Sequence, residues 1–484
     1  MRDAKHADGF LSNLAWKFAE RFAAQLISTI VSVILARILE PDHYGVIAIV
    51  MIFINLANVL VSDGLGSALI QKKDATSLDF FSVLYFNVAF SGVLYLMLFL
   101  AAPVITQFYG QGYEILTPVL RVLGLRIILT AVNSVQQAYV AKKMIYRKFF
   151  VATLGGTLIS AVVGIAMAYR GYGVWALVTQ YLVNTTVDTL ILALTLKVKP
   201  RLLFSFSSVK ALIPYGIRIL GTGLLITGYQ ELRALIIGKL YTSSDLAYYN
   251  KSRQFPSLLV TNINSSISAV LFPKMSSVQD EPEKIKAHTK ASISLSSYLI
   301  APMMFGFAAV AHPFVRLILT DKWLPCVPYM QMFCLFYLFQ PIHSANMQAI
   351  KAIGRSDVYL KLELVKKGIE LIVLLCTLRA GVTAIVVGMT LCATAFTFVN
   401  AYPNMKLLHY GFGEQMADIL PNIFLSAAMF VCVYPLRQLP LPAGGILVLQ
   451  VLTGAAIYVL LSVLTRNAAF VKLKSIVMVR FLKK

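Results

Sequence analysis

The sequence predicts an all-α membrane protein with about fourteen transmembrane helices. Hydrophobic residues make up 58% of the 484 residues and charged residues only 13%, and the mean hydropathy is +0.75. These values lie far outside the range of soluble domains. Apolar stretches of about 20 residues, the length that spans a bilayer as a helix, recur along the whole chain. The connections between them are short, so no separate soluble domain is expected.

Charged residues, Pro or Gly bound each apolar stretch and define the candidate spans. From the N-terminus these are 14–39, 44–70, 79–108, 115–141, 149–169, 173–196, 211–239, 246–273, 290–319, 325–350, 357–378, 382–405, 415–436 and 443–465. The first span is expected to remain as a membrane helix. Its apolar run is too long for a signal-peptide core, and no small-residue cleavage site follows it.

The basic residues predict the orientation in the membrane. The chain has 43 Lys and Arg against 21 Asp and Glu, a formal net charge of +22. If the N-terminus is cytoplasmic, most of the Lys and Arg residues fall in cytoplasmic segments, as the positive-inside rule requires. Both termini are therefore predicted to be cytoplasmic. Because topology accounts for most of the basic excess, no nucleic-acid partner is expected.

The five cysteines predict neither a disulfide framework nor a metal site. They are odd in number, lack the paired spacing of metal ligands and mostly lie in apolar stretches. We expect no metal and no cofactor.

The chain also repeats itself, as many transporters do. The segment "ILARILEPDHYGVIAI" (34–49) aligns with "IIGKLYTSSDLAYYNK" (236–251), so Arg37 corresponds to Lys239. Two lobes of six spans each are predicted, followed by two extra helices. Because six is even, both lobes begin on the same side of the membrane. A pseudo-two-fold axis along the membrane normal would therefore relate them. The predicted parts are the N-lobe at 1–196, a cytoplasmic amphipathic linker at 197–210, the C-lobe at 211–405, the extra helices at 406–465 and a basic amphipathic tail at 466–484.

Several motifs in order resemble those of bacterial polysaccharide flippases. In the first half these are "LARILEPDHYGVIAI", "DGLGSALIQKK", "APVITQFYG", "AYVAKKMIYRKF" and "GYGVWALVTQYL"; in the second half, "DLAYYNKSRQFPSLL", "VLFPKMSSVQDEPEKI", "AHPFVRLILTDKWLPCVPYMQ" and "AIGRSDVYLKLELV". The chain is thereby similar to the Wzx-like exporters of the multidrug/oligosaccharidyl-lipid/polysaccharide superfamily, and most similar to their lipopolysaccharide-biosynthesis type, which includes colanic-acid and teichuronic-acid exporters. It departs from them in span seven, where Arg233 stands near the position of a common acidic residue and Glu231 lies upstream.

The resemblance implies a flippase and not an enzyme. Such proteins move an undecaprenyl-pyrophosphate-linked oligosaccharide from the inner to the outer leaflet of the bacterial cytoplasmic membrane, for surface polysaccharide export. We expect alternating access coupled to a proton or sodium gradient. Expected partners are the lipid-linked oligosaccharide, anionic lipids beneath the basic tail and polysaccharide polymerase or export proteins.

Three ionisable residues stand out in the first span. Lys17 and Arg21 are spaced i,i+4 and Lys17 and Glu20 are spaced i,i+3, so all three share one helical face. Charges inside a membrane are costly. That face either lines a hydrated cavity for an anionic carrier or places Lys17 and Arg21 near the interface, where they can snorkel to the headgroups. Glu20 cannot reach as far and is expected to need a partner.

Arg126 is the main candidate for binding the carrier. It lies near the middle of the predicted span 115–141, so its side chain cannot easily reach either membrane surface. It either pairs with a carboxylate, for which Asp63 and Asp188 are candidates, or faces a cavity and binds phosphate oxygens. We favour the cavity. The secondary cationic candidates are Arg121, Arg218 and Arg233, and the carboxylates for coupling or ion pairing are Asp63, Glu20, Asp188 and Glu231.

The charges of span 357–378 have a structural interpretation. Glu363, Lys366, Lys367 and Glu370 are spaced so that neighbours on one helix can neutralise one another. Amide side chains within the spans, such as Asn133 and Asn346, could bond sugar hydroxyls, but we favour their interpretation as joints between helices.

Two other functions stay open from the sequence. An organic-cation or drug exporter of the same superfamily would need acidic groups in its cavity, whereas the spans are rich in Lys and Arg. A membrane glycosyltransferase or polymerase would be expected to need a sizeable outer loop, whereas the longest hydrophilic connection, 274–289, is assigned to the cytoplasm.

Overall fold

A computed structural model describes residues 23–72, 74–196 and 202–474 of the chain. Within these ranges the chain forms helices joined by short connections, with no β-strand. Nine of the described helices are long and apolar enough to cross a membrane. The predicted class, an all-helical multi-pass membrane protein, is therefore confirmed.

The helices follow the predicted spans closely. Their bounds are α1 Ala23–Ile38, α2 Pro41–Gln71, α3 Ser77–Tyr109, α4 Leu116–Lys143, α5 Tyr146–Tyr169, α6 Val174–Leu196, α7 Phe206–Leu240, α8 Ser243–Ser276, α9 Pro282–Ile318, α10 Val327–Leu338, α11 Gln340–Ala352, α12 Ser356–Thr377, α13 Val382–Leu407, α14 Phe412–Val433 and α15 Ala443–Leu464. Short 3₁₀ helices occupy Asp321–Cys326 and Tyr434–Gln438.

Two predicted spans are not straight single helices. The span 325–350 is interrupted at Phe339, where α10 ends and α11 begins with Pro341 in its first turn, a position that needs no backbone N–H. Helix α7 bends by 49° between Phe206–Ile217 and Ile219–Leu240. Pro214 precedes this bend and removes one hydrogen bond of the helix. The count of fourteen spans and the pseudo-two-fold axis stay predictions.

Local signals in the sequence explain where α3 starts. Thr76 and Asp79 form a capping box, in which the Thr76 hydroxyl accepts from the Asp79 N–H at 3.4 Å and Asp79 accepts from the Thr76 N–H at 2.9 Å. The same carboxylate forms an ion pair with Lys72 at 2.9 Å. The end of α2 is thereby tied to the first turn of α3.

By its internal contacts the chain forms two compact units, one that ends at Ala247 and one that begins at Tyr248. In the first unit, α2 packs along α7 and also contacts α4, α3 and α6, so α2 is its central helix. Helix α7, which the sequence assigns to the C-lobe, thus packs within the first unit. The predicted boundaries at 1–196 and 211–405 stay predictions.

The turns at the two aligned repeat segments correspond in position and touch each other. Two residues separate α1 from α2, and two separate α7 from α8, at aligned places in the chain. The Ser243 hydroxyl donates to the Asp42 carboxylate in the first turn of α2. A Cβ added at Gly45 would overlap the backbone carbonyl of Ser243. Gly45 therefore permits a close backbone approach between α2 and α8.

The second unit is built around α9, which packs against α10, α11, α14 and α15. A buried amide network joins three of its helices: Asn346 and Gln415 exchange hydrogen bonds at 2.8 and 3.1 Å, and Asn404 donates to Asn346 at 2.6 Å. Asn346 is thus the helix joint that the sequence predicts.

The first part of the predicted tail packs on the second unit. Residues 468–474 are helical, and the Asn467 side chain accepts from the backbone N–H groups of Ala469 and Phe470 at the start of this helix. The Phe470 ring lies 6.4 Å from the ring of Tyr298. Residues 475–484 lie outside the described residues, and contact of the tail with anionic lipid stays a prediction.

Candidate functional site

Arg126 lies in the first half of α4, about three turns after its start, and is held by neutral groups. Its Nε donates to the Thr185 hydroxyl at 3.0 Å, and its Nη1 lies 3.6 Å from the Met51 sulfur. The guanidinium carbon is 5.3 Å from the centre of the Tyr181 ring. Helices α2, α4 and α6 therefore meet at this side chain.

Arg126 and Asp188 do not form the ion pair that was one of the two alternatives. Among the described side chains, no carboxylate lies within ion-pair distance of Arg126. Asp188 instead accepts a hydrogen bond from Asn133 at 3.0 Å, and its other carboxylate oxygen is buried without a partner. The side chain of Asp63, the other predicted partner, is not among those described. In the described part of the site, the Arg126 charge is thus balanced by the Thr185 hydroxyl, the Met51 sulfur and the Tyr181 ring.

Asp188 and Arg126 nevertheless share one polar seam between α4 and α6. Asn133 lies two helical turns after Arg126 and binds Asp188, and Asn133 in turn accepts from Gln137 at 2.5 Å.

Sequence reasoning missed Tyr181 and Thr185. Their i,i+4 spacing, with Asp188 three residues after Thr185, marks a polar stripe on an otherwise apolar helix and could have identified them.

The predicted residues of α7 lie beside α2. Glu231 accepts a hydrogen bond from the Asn55 amide at 2.9 Å. Arg233 donates to the Tyr229 hydroxyl at 3.2 Å, and its guanidinium is 5.1 Å from the Tyr229 ring centre. Because Asn55 lies one helical turn after Met51, α2 connects the Glu231 contact with the Arg126 contact.

Arg121 is separated from this group. Its Nε donates to the Phe99 carbonyl at 3.3 Å, and its guanidinium lies 4.3 Å from the Phe99 ring centre. The Tyr95 hydroxyl donates to the Arg121 carbonyl at 3.1 Å. These contacts fasten α4 to α3, so Arg121 stabilises a helix pair in this structure and does not join Arg126.

The remaining predicted residues have no described side chain. Lys17, Glu20 and Arg21 lie outside the described residues. Asp63 belongs to α2 and Arg218 to the bend of α7, but only their backbone is described. Their roles stay predictions. Within the described ranges, no group of three or more His, Cys, Asp or Glu residues is arranged to hold a metal ion.

The helical fold is that of a multi-pass membrane protein, and the cationic group held between three of its helices is a candidate site for an anionic ligand. The chain belongs to the polysaccharide biosynthesis protein family, whose model matches residues 34–328. It is 24% identical over 346 residues to the succinoglycan biosynthesis transport protein ExoT of Rhizobium meliloti (strain 1021), covering 72% of this chain and 70% of that one. It is 22% identical over 407 residues to the lipopolysaccharide biosynthesis protein WzxC of Escherichia coli (strain K12), covering 83% and 82% of the two chains.

A solved structure shares the fold. The lipid II flippase MurJ, in an inward closed conformation, superposes with a TM-score of 0.75 at 15% identity, covering 94% of this chain and 99% of that chain. At this identity the likeness concerns the fold alone. The family and its curated relatives confirm the resemblance seen in the sequence and the prediction that the protein is a transporter and not an enzyme.

Proposed function

We propose that this protein moves a polyprenyl-pyrophosphate-linked oligosaccharide from the inner to the outer leaflet of the bacterial cytoplasmic membrane, for export of a surface polysaccharide. Membership of the polysaccharide biosynthesis family supports the substrate class. The observation that carries the proposal is Arg126, a cation within α4 with neutral partners among the described side chains.

The carrier presents a physical problem that such a cation solves. Its sugars and pyrophosphate must cross about 30 Å of hydrocarbon, whereas its polyprenyl tail can stay in lipid. A guanidinium offers a planar fork of donors that matches phosphate oxygens. Arg126 uses Nε and Nη1 for the Thr185 and Met51 contacts, which leaves donors on the guanidinium for a pyrophosphate. A carboxylate partner would have competed with the ligand for the same donors.

The transport cycle proposed here is alternating access between the two predicted lobes, with both termini in the cytoplasm. A proton or sodium gradient is the proposed energy source, and Asp188 and Glu231 are the described carboxylates that could take part. Asp188 has one buried oxygen without a partner, which a proton or cation would satisfy. Anionic lipids and polysaccharide polymerase or export proteins are the proposed partners.

Transport in proteoliposomes tests the proposal. The purified protein is reconstituted with a fluorescently labelled undecaprenyl-pyrophosphate oligosaccharide, and the label exposed in the outer leaflet is followed by a membrane-impermeant quencher. We expect faster exchange than in protein-free liposomes, with the mass of the lipid unchanged. No acceleration, combined with uptake of an organic cation by the same liposomes, would favour the drug-exporter alternative. A change in the mass of the lipid would indicate an enzyme.

A further inference from the structure

A polar cavity of about 320 Å³ lies within the second unit, and its lining contains none of the residues discussed above as a carrier site. Helices α11, α12 and α13 form most of its wall, and Phe336 of α10 completes it. Its size falls within the range of small-molecule sites, about 300–1,000 Å³. No part of the Arg126 group contributes to it.

The charges around this cavity neutralise one another. Lys366 binds Glu363 at 2.5 Å, and Lys367 binds Glu370 at 3.1 Å. A third cation, Lys351, lies over the Tyr359 ring at 4.3 Å from its centre. The sequence predicts the two pairs of α12 as structural, and the structure forms both. The wall therefore has donors and acceptors of both signs without a strong net charge.

A buried amide of α13 that lines this cavity has an acceptor without a partner. Asn400 is 1% exposed, and its side-chain N–H donates to Nδ1 of His343 on α11 at 2.6 Å. Its Oδ1 is buried and has no hydrogen-bond partner. Because Asn400 lines the cavity, a ligand with a hydroxyl or N–H group could satisfy this oxygen.

We infer that this cavity binds a neutral sugar unit of the oligosaccharide, an inference that rests on the proposed function. A sugar carries many hydroxyls that both donate and accept, which matches the Asn400 oxygen, the Gln348 amide and the paired charges of α12. The rings of Phe336, Tyr359 and Phe396 line the same cavity and offer flat apolar faces for the C–H surface of a pyranose. The cavity is thus a sugar site separate from the Arg126 group.

Other ligand classes fit this cavity less well. A pyrophosphate is best bound by several cations free of carboxylates, whereas two of the three lysines, Lys366 and Lys367, are each paired with a glutamate. An organic cation needs an excess of carboxylates, whereas the lining holds three Lys and two Glu residues: Lys351, Lys366, Lys367, Glu363 and Glu370. The lining therefore favours a neutral polar ligand.

The test compares two probes on the full-length protein in lipid nanodiscs. One probe is the lipid-linked repeat unit extracted from membranes of the source organism, and the other is undecaprenyl pyrophosphate without sugar. We expect Asn400→Leu to weaken binding of the sugar-bearing probe roughly tenfold, since it leaves a buried hydroxyl of the sugar unpaired, and to leave the bare probe unchanged. Thr394→Val is the matched control, because Thr394 lies on α13 outside the cavity and bonds its own helix.

Gln348→Met provides a second variant if Asn400→Leu does not fold, because Gln348 is only partly buried. We expect a several-fold loss for the sugar-bearing probe alone. Equal losses for both probes would assign the cavity to pyrophosphate and overturn the inference. Wild-type affinity for both probes in both variants would overturn it as well, while the proposed function stood. A wild-type protein that binds neither probe would overturn the proposed function together with this inference.

Discussion

The two units use charged side chains inside their helices in opposite ways. In the first unit, Arg126 and Asp188 lie along one seam but do not pair with each other, and each is held by neutral groups. In the second unit, Lys366 and Lys367 are each bound to a glutamate of the same helix. An unpaired charge retains its capacity to bind a charged ligand, whereas a paired one builds a neutral polar surface. The comparison therefore separates a proposed pyrophosphate contact from a proposed sugar contact.

If Arg126 were only a packing residue, the two units would not differ in this way. We expect Arg126→Ala to slow transport of the lipid-linked oligosaccharide in proteoliposomes roughly a hundredfold or more, because losing one partner of a desolvated charge contact costs about 2–5 kcal/mol. Arg121→Ala is the matched control on the same helix, since Arg121 binds Phe99 of α3. Transport at the wild-type rate in a well-folded Arg126→Ala protein would remove Arg126 from the proposed mechanism.

The units also differ in how their helices are joined. In the first unit, a substitution at Gly45 tests the close backbone approach between α2 and Ser243. An alanine there would push its Cβ into the Ser243 carbonyl, so Gly45→Ala is expected to lower the free energy of unfolding by about 3 kcal/mol. Thermal unfolding in detergent would show this loss of stability as a lower Tm. Gly66→Ala, on the same helix with no atom near its added Cβ, should be neutral or stabilising by up to about 1 kcal/mol. Equal Tm values for the two variants would contradict the close approach.

Asn346 tests the corresponding joint in the second unit. Asn346→Leu removes the side-chain hydrogen bonds that Gln415 and Asn404 make to Asn346 in the buried network, at a cost of about 2 kcal/mol in the free energy of unfolding. Asn262→Leu, at an exposed position of α8, is expected to change it by less than about 0.5 kcal/mol. A similar Tm for both variants would show that the amide network contributes little.

The smallest effect concerns the pairs of α12. A double-mutant cycle with Glu363→Gln and Lys366→Met should give a coupling energy of about 1 kcal/mol, with the double variant more stable than the sum of the single changes predicts. Melting curves of the four proteins provide this value. A coupling energy near zero would mean that the two charges are solvated independently, and the description of the cavity wall as neutralised would fail.

Much of the fold followed from local sequence. Long apolar runs predicted the helices, because a bilayer-length segment has to satisfy its backbone hydrogen bonds within itself. The i,i+3 and i,i+4 spacings predicted that the charges of α12 neutralise one another, and the structure forms two i,i+3 pairs. Thr76 and Asp79 formed the capping box that their spacing favours.

The contacts of Arg126 did not follow from local sequence. Its position near the middle of a span predicted a costly charge, but Met51, Tyr181 and Thr185 come from other helices. For the same reason, the sequence did not show that Arg121 and Arg126, which both lie on α4, contact different helices. Which face of a helix meets which neighbour depends on packing across large sequence separations, and periodicity alone does not specify it.

The sequence by itself thus determined that this is a helical multi-pass membrane protein, where most of its helices begin and end, and which charges lie deep within them. Only the tertiary structure decided which of those charges are paired, that Asp188 binds Asn133 and not Arg126, and that α11, α12 and α13 enclose a polar cavity. The physical reason is that a helix forms from interactions within a few residues, whereas a binding site forms where distant helices meet.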